Sequence, residues 1–273
     1  ADEVISYNDY NRNPVEAVSG ICGSRMGRGR IELIDRTPYT LFKEIAERLE
    51  GFEIVCRSEG LALCLQEMRG IKDGREIEIC RRAGKMTNSM IDSLCAALED
   101  GSIKTEVDAA MFVEAESRRL GAEGSSFETL AAGPARSWGI HAFPAFTAGA
   151  VTGPAPGLEG GLSIIDCGLK LEGLCTDITL TVCSGSLSAG QTEMTELVAA
   201  AHKLAAETAV PGVSAAAVAR GVDEFFKDAG YTMPHGLGHG LGLDVHEYPY
   251  LKDVEIYEKP LLPGMVFTIE PGL

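Results

Sequence analysis

Four long segments of the chain read as helices, and in the first of them apolar residues recur with helical spacing. These segments are 75–99, 105–121, 188–209 and 214–230. The second begins at Thr105, where Thr-Glu-Val-Asp resembles a capping box with Asp in place of the usual Glu. The pattern therefore predicts two pairs of consecutive helices.

Each predicted helix pair is followed by strand-like sequence. Residues 127–182 follow the first pair, and Gly-rich segments that extend to Leu273 follow the second. The order of helix, helix and strands thus occurs twice. This weak internal repeat predicts an α+β fold with two similar halves around one mixed sheet, and helices on its outer face.

The N-terminal part of the chain has a different pattern. Residues 30–34 and 52–56 read as strands, and residues 37–49 between them read as a helix that ends before Gly51. Two strands and one helix make a poor independent core, and residues 65–74 read as a linking stretch. We therefore expect a partial N-terminal α/β domain over 1–64 and a main domain over 65–273.

Composition narrows the class of protein. The formal net charge is −16 at pH 7, which disfavours binding to nucleic acids or anionic membranes. The eight cysteines contain no Cys-x-x-Cys pair and most lie in apolar runs, so buried thiols in a reducing compartment are favoured over a disulfide framework. Because residues 1–13 are polar and no apolar run has membrane-spanning length, we expect a soluble cytoplasmic protein.

The first candidate site is a predicted hairpin that carries Asp166 and Asp177. The two residues are eleven positions apart in a segment otherwise rich in Ile and Leu, with Glu172-Gly173 near the turn. In a hairpin with an even-numbered loop, an odd separation places both side chains on one face, directly opposite or diagonal. Two such carboxylates repel each other unless a cation lies between them. The alternative is that one Asp lies at an exposed strand end.

The second candidate site contains three of the five histidines, His235, His239 and His246. Four glycines alternate through it: Gly236, Gly238, Gly240 and Gly242. A helix would cost about 1 kcal/mol per glycine relative to alanine, so the spacing does not indicate a zinc-binding helix. We expect extended backbone in which His235 and His239 share a face. Three histidines in such a segment favour a functional site over isolated core histidines.

The third candidate is Glu270, which lies in an otherwise apolar predicted strand just before a proline. A buried glutamate needs a partner, whereas an edge-strand glutamate can face water. The element alone leaves both interpretations open.

Together, these elements resemble the catalytic domain of the aminopeptidase P, prolidase and methionine aminopeptidase superfamily, which has the pita-bread fold. The resemblance covers roughly residues 65–273 and is best for the Xaa-Pro branch. It rests on three motifs in the family's order: IIDCGLKLEGLCTDIT, HGLGHGLGLDVHEYP and LLPGMVFTIEPGL. The N-terminal segment resembles only the tail of the family's usual N-terminal domain.

The resemblance implies a role for each candidate residue. Asp166 would bind one metal ion and Asp177 would bridge two, with His239 and Glu270 on the second. His246 would contact the substrate carbonyl, and Glu270 would also transfer a proton. Two further histidines would contact the substrate: His235 and His141.

The resemblance also implies cofactors and partners. The ligand set suits two divalent ions, with manganese first and cobalt, iron or zinc as alternatives. The substrate would be a peptide with proline at the second position, and a homodimer is an open expectation. The family's second bridging Glu would follow Leu273, so the sequence is expected to lack the final strand. Leu180 stands where the Xaa-Pro branch usually has Arg, which leaves substrate assignment open.

Three alternative functions are also compatible with the sequence. A non-catalytic peptide- or protein-binding member of the same fold is favoured by the missing fifth ligand and disfavoured by the intact four. A metal-free hydrolase of another small amide, as in the creatinase branch, is disfavoured by the retained ligands. A methionine aminopeptidase is disfavoured by the LDVHEYP context.

Overall fold

The structure is a computed structural model that describes residues 5–144 and 149–273. Residues 1–4 of the predicted N-terminal segment, and residues 145–148 of the first predicted strand-like region, lie outside the described residues. The chain divides into two compact units, Ala1–Met68 and Arg69–Leu273.

The first unit is a small α/β arrangement. Its strands pair in parallel around a core of Val15, Ile45 and Leu49. Its elements, in chain order, are α1 (Pro14–Met26), β1 (Gly29–Leu33), α2 (Tyr39–Arg48), β2 (Phe52–Cys56) and α3 (Leu61–Gly70), the last of which extends to the start of the second unit. The predicted strands and the helix between them are confirmed.

Two features of this region differ from the sequence prediction. The prediction of a linking stretch over 65–74 was wrong for residues 65–70, because they belong to helix α3. Helix α1 was missed because Gly20 and Gly23 interrupt its apolar pattern. The sequence nevertheless contains an N-cap for this helix, because the Asn13 side chain accepts hydrogen bonds from the Val15 and Glu16 N–H groups.

The second unit contains two helix pairs and the strands that follow them. The first part comprises α4 (Gly74–Glu99), α5 (Glu106–Arg119), β3 (Gly124–Ser125), β4 (Leu130–Ala132), β5 (Gly160–Cys167), β6 (Leu169–Leu171), β7 (Leu174–Cys175) and β8 (Ile178–Gly185). The second part comprises α6 (Ala189–Thr208), α7 (Ala215–Asp228), β9 (Gly238–Gly240) and β10 (Glu247–Leu251). The predicted order of helix, helix and strands is confirmed in both parts.

Each helix pair buries its apolar face against its own strands. Met90 and Leu94 of α4 pack with Val113 of α5 and with Ile165 of β5. In the second part, residues of α6 and α7 pack with Leu237 and with strand β10. The described strands pair as three small antiparallel sheets: β4-β5-β8, β3-β6-β7 and β9-β10.

Capping groups explain where the long helices begin. The predicted capping box at Thr105 is confirmed, with Asp108 in the role usually taken by Glu. A second capping box joins Asp73 and Glu76 at the start of α4. These two capping boxes determine where α4 and α5 begin, ahead of the strands that carry the candidate site.

All eight cysteines are unpaired in the structure. The expectation that they are buried was wrong for Cys56, Cys64 and Cys183, which are exposed. Among the helices in the described ranges, none is long and apolar enough to cross a membrane.

Candidate metal centre

Strands β5 and β8 place Asp166 and Asp177 on the same face. Asp166 pairs with Thr179, and Cys167 pairs with Ile178. Asp177 directly precedes β8, so it lies two residues from the partner of Asp166 and points to the same side. Of the two predicted arrangements, the structure therefore has the diagonal one.

The hairpin continues beyond these carboxylates through β6 and β7. Its two-residue turn is Glu172-Gly173, as the sequence indicated, and both residues have positive φ, 47° and 83°. The chain bends out of the first sheet at Gly168, where a Cβ atom would lie 2.0 Å from the carbonyl oxygen of Thr176. Only glycine permits this approach, which leads the chain back to Asp177.

The two aspartates lie in an environment that is unfavourable for their charges. Burial and the charge of Glu270 raise the pKa of Asp166 from 3.8 to about 6, although a hydrogen bond with Thr179 lowers it in part. Burial and the charges of Asp166 and Glu270 raise the pKa of Asp177 from 3.8 to about 7. The Oδ1 atom of Asp166 is also buried without a hydrogen-bond partner. A cation among these groups would relieve both the repulsion and the missing contact.

The Gly-rich segment presents His239 to the same region. Strand β9 lies between β10 and the extended segment that leads to Glu270. A Cβ atom at Gly238 would lie 2.2 Å from the Thr268 carbonyl oxygen, and one at Gly240 would lie 2.3 Å from that of Tyr248. The alternating glycines therefore allow the backbone to approach closely on both sides.

The extended conformation predicted for this segment is only partly correct. Gly238–Gly240 forms a strand, but the chain bends at His235 and again over residues 242–246. The second bend brings Gly242 against the Glu247 carboxylate, where a Cβ atom would lie 2.3 Å from Glu247 Oε2. His235 therefore does not share a strand face with His239.

His239 contacts two of the other predicted ligands. Its Nε2 atom lies 3.1 Å from Glu270 Oε1 and 3.5 Å from Asp177 Oδ2. Burial lowers the pKa of His239, but the hydrogen bond to Glu270 and the nearby carboxylate charges raise it overall. His239 thus connects the carboxylates of the two halves of this unit.

Glu270 lies in an extended segment that hydrogen-bonds to residues 237–241. The predicted strand is wrong as a regular element, since this segment has a single bridge to β9, between Gly240 and Phe267. Burial raises the pKa of Glu270, but hydrogen bonds from His239 and Thr268 lower it overall. Glu270 is therefore an ionised, partly buried carboxylate.

Sequence reasoning missed the contribution of Thr268. Its hydroxyl donates to Glu270 Oε1 at 2.6 Å and accepts the His239 backbone N–H at 3.0 Å. The sequence indicated this contact, because Thr268 and Glu270 are two residues apart and therefore share a face in an extended segment. One threonine therefore orients two candidate ligands.

The remaining predicted histidines lie at different distances from this centre. The ring of His246 lies 4.2 Å from that of His239, centroid to centroid. Burial and the charge of His239 lower the pKa of His246. The charge of His235 acts on Glu270, while exposed His141 acts electrostatically on Asp166. The structure thus brings His246 into the cluster and leaves His235 and His141 at its margin.

The donor chemistry of the cluster fits divalent cations, although its side chains contact one another directly. Within residues 5–144 and 149–273, no group of three or more His, Cys, Asp or Glu side chains already has metal-binding geometry. Three carboxylates and one imidazole nevertheless converge, and the unpartnered Asp166 oxygen supplies a free donor atom. The residues fit such a site if the hydrogen bond between His239 and Glu270 opens.

Comparison with known proteins identifies the class to which this site belongs. Residues 78–273 match metallopeptidase family M24. The chain therefore belongs to this family of metal-dependent hydrolases. Family membership implies divalent metal ions, and solved structures of prolidases and aminopeptidase P share its pita-bread fold.

Relatives of the chain include proteins named as a putative dipeptidase, an Xaa-Pro dipeptidase and a prolidase. It is 33% identical over 280 residues to the Bacillus subtilis protein named "Putative dipeptidase YkvY", covering 99% of this chain and 71% of the relative. It is 34% identical over 211 residues to Xaa-Pro dipeptidase of Pyrococcus furiosus, covering 77% of this chain and 57% of the relative. The prolidase structure from Thermococcus sibiricus superposes with a TM-score of 0.81 at 27% identity, covering 95% of this chain and 67% of that one.

Proposed function

We propose that this protein is a metal-dependent peptidase that removes the N-terminal residue from peptides with proline in second position. The observation that supports this most is the convergence of three carboxylates and one imidazole from three segments, with an unpartnered carboxylate oxygen among them. The similarity to Xaa-Pro dipeptidase of Pyrococcus furiosus supports the proline preference.

The proposed ligands are Asp166, Asp177, His239 and Glu270. Asp166 would hold one ion, Asp177 would bridge two, and His239 with Glu270 would hold the second. Three carboxylates with one imidazole form a mostly hard donor set, which favours manganese over softer alternatives. When bound, the ions would supply an activated water nucleophile and polarise the carbonyl of the scissile bond.

His246 would stabilise the oxygen of that carbonyl as it gains negative charge. Its lowered pKa keeps the imidazole neutral near pH 7, so one ring nitrogen carries a proton and can donate a hydrogen bond. A preorganised donor of this kind contributes about 3–4 kcal/mol to transition-state stabilisation. The ring's position beside His239 places the donor next to the proposed ligands.

Glu270 would transfer a proton during cleavage. Its lowered pKa leaves it ionised, so it can accept a proton from the attacking water and deliver it to the leaving nitrogen. Thr268 holds one of its carboxylate oxygens in place. His235 and His141 would contact the peptide from the margin of the site.

Two further parts of the proposal concern the protein as a whole. We propose a cytoplasmic location, which is supported by eight unpaired cysteines. A homodimer is proposed from the family resemblance alone. Cell fractionation and light scattering of the purified protein test these two points independently of activity.

The activity is tested with metal-free protein and a matched peptide panel. The protein is treated with chelator, reloaded with manganese, and assayed on Xaa-Pro dipeptides, Xaa-Pro tripeptides and the corresponding Xaa-Ala peptides. We expect manganese-dependent cleavage that favours proline by at least about tenfold in kcat/KM, within reach of a fitted pocket. No cleavage with manganese, cobalt, iron or zinc would overturn the activity. Equal cleavage of both series would overturn only the proline preference.

A further inference from the structure

Four charged side chains meet at the turn of residues 244–247 in the second unit, and none of them is a proposed metal ligand. They are Arg69, Lys72, Asp244 and Glu247. The side chains of Lys72 and Glu247 are only 2% and 4% exposed. Burying a pair of charges costs several kcal/mol per ion, and apolar residues of similar volume often stabilise a fold as well. Stability alone is therefore a weak explanation for this pair.

The Glu247 carboxylate joins the turn to the segment before α4. Its Oε1 atom accepts hydrogen bonds from the Asp244 backbone N–H at 2.8 Å and from Arg69 Nη2. Arg69 Nη2 also donates to Asp244 Oδ2 at 2.8 Å. Glu247 Oε2 faces Lys72 Nζ at 3.6 Å. Both ends of the 244–247 turn are thus attached to one carboxylate.

This turn connects the two histidines at the centre of the site. His239 precedes it on β9, Gly240 pairs with Glu247 across the β9-β10 sheet, and His246 is the residue before Glu247. The absence of a side chain at Gly242 allows the backbone to pack directly on the Glu247 carboxylate. A displacement of Glu247 would therefore move His246 relative to His239.

The segment that pairs with Glu247 also contacts the chain that leads to Glu270. The Lys72 backbone N–H donates to the Gly264 carbonyl at 2.9 Å, and Ile71 forms a bridge with Met265. A Cβ atom at Gly264 would lie 3.1 Å from both Ile71 and Lys72. One short segment therefore supports both sides of the cluster.

We propose that Glu247, paired with Lys72 and Arg69, is a positioning residue that fixes His246 against the ligand cluster. The inference rests on the proposed function, because it assigns to His246 the hydrogen bond to the substrate carbonyl. It adds a group that touches neither metal nor substrate and that acts through the geometry of the turn. Positioning errors of about 1 Å can reduce turnover about 100-fold, so such a support has a measurable effect.

The substitution Glu247→Gln tests this with little change in volume. The carbonyl oxygen of the new side chain can still accept from Arg69 and Asp244, but its amide nitrogen then faces the Lys72 ammonium, so two donors oppose each other. The double variant Lys72→Met/Glu247→Gln removes the opposing charge and serves if the single variant does not fold. Glu116→Gln is the matched control, because Glu116 is similarly buried and pairs with Arg119 on α5.

The measurements are kcat and KM per folded molecule, metal content, and the imidazole NMR signals of His246 in metal-free protein. His246→Ala identifies those signals among the five histidines. We expect Glu247→Gln to lower kcat by at least about tenfold with KM changed far less, because the lost alignment acts mainly in the transition state. Metal content should remain at the wild-type value, the His246 signals should shift, and Glu116→Gln should match wild type in each respect.

The outcomes separate this inference from the proposed function. Wild-type kcat together with unmoved His246 signals in Glu247→Gln would overturn the positioning role while leaving the peptidase assignment intact. Loss of metal along with kcat would also overturn it, because Glu247 would then act on the ligands. If wild-type protein cleaves none of the peptides, the NMR comparison still decides whether Glu247 fixes His246.

Discussion

Asp166 lies diagonally across the β5-β8 hairpin from Asp177, on the same face and two residues out of register. This relationship follows from the two-residue turn at Glu172-Gly173, which sets the pairing of the whole hairpin. It brings together two buried carboxyl groups, each with a raised pKa. Such a pair is unfavourable by itself and favourable around a cation.

The first prediction concerns Asp177. The substitution Asp177→Asn should remove both metal ions and all peptidase activity, because this carboxylate is proposed to bridge them. Elemental analysis of purified protein measures the metal directly. Asp228→Asn is the control, since Asp228 is exposed at the end of α7, and it should retain wild-type metal. Full metal content in Asp177→Asn would show that the ligand assignment is wrong.

The second prediction concerns pH. A carboxyl group whose pKa rises on folding binds more protons in the folded than in the unfolded chain, so folding stability falls as pH rises through that interval. The pKa interval runs from 3.8 to about 6 for Asp166 and from 3.8 to about 7 for Asp177. Metal-free protein should therefore lose stability as pH rises from about 4 to about 7.

Thermal unfolding of metal-free and manganese-loaded protein across this pH range checks the second prediction. The loaded protein should not show the loss, because bound cations favour the charged carboxylates. The double variant Asp166→Asn/Asp177→Asn should show a smaller pH dependence than wild type without metal. An identical pH profile in the double variant would mean that other groups cause the effect.

The third prediction separates His246 from the ligands. His246→Ala should leave metal content unchanged and lower kcat by roughly 100- to 1,000-fold, as loss of an oxyanion donor does. His202→Ala on α6 is the control, because His202 is exposed and lies outside the site. Loss of metal in His246→Ala would instead identify His246 as a ligand.

The fourth prediction concerns Thr268, which hydrogen-bonds to both Glu270 and the backbone of His239. Thr268→Val removes the hydroxyl while preserving the side-chain shape, and should weaken metal affinity about 10- to 100-fold. Thr268→Ser keeps the hydroxyl and should restore most of the affinity. Calorimetric titration of metal-free protein measures both variants, and equal affinity of Thr268→Val and wild type would exclude the orienting role.

The sequence contained enough information to predict the main architecture of the second unit. The four helices follow from apolar periodicity in the first and from capping and stop signals in the others, and the capping box at Thr105 was readable directly. The common face of Asp166 and Asp177 followed from their odd spacing around a turn signal. Such features are local, so a short stretch of sequence determines them.

Features that depend on distant contacts were not predictable in the same way. The bend at Gly242 depends on the Glu247 carboxylate, whose position depends on Lys72, which lies far earlier in the chain. Helix α1 lacks a clear apolar stripe, and the segment with Glu270 is extended without forming a regular strand. Periodicity contains no information about such packing between segments.

The central claim is that Asp166, Asp177, His239 and Glu270 together bind divalent metal. A crystal structure of manganese-loaded protein, with anomalous diffraction to locate the ions, tests it most directly. Two ions about 3.5–4 Å apart are expected, with Asp177 in contact with both. Asp166 should contact one ion, and His239 with Glu270 should contact the other. Ions bound elsewhere, or no anomalous signal among these four side chains at saturating manganese, would contradict it.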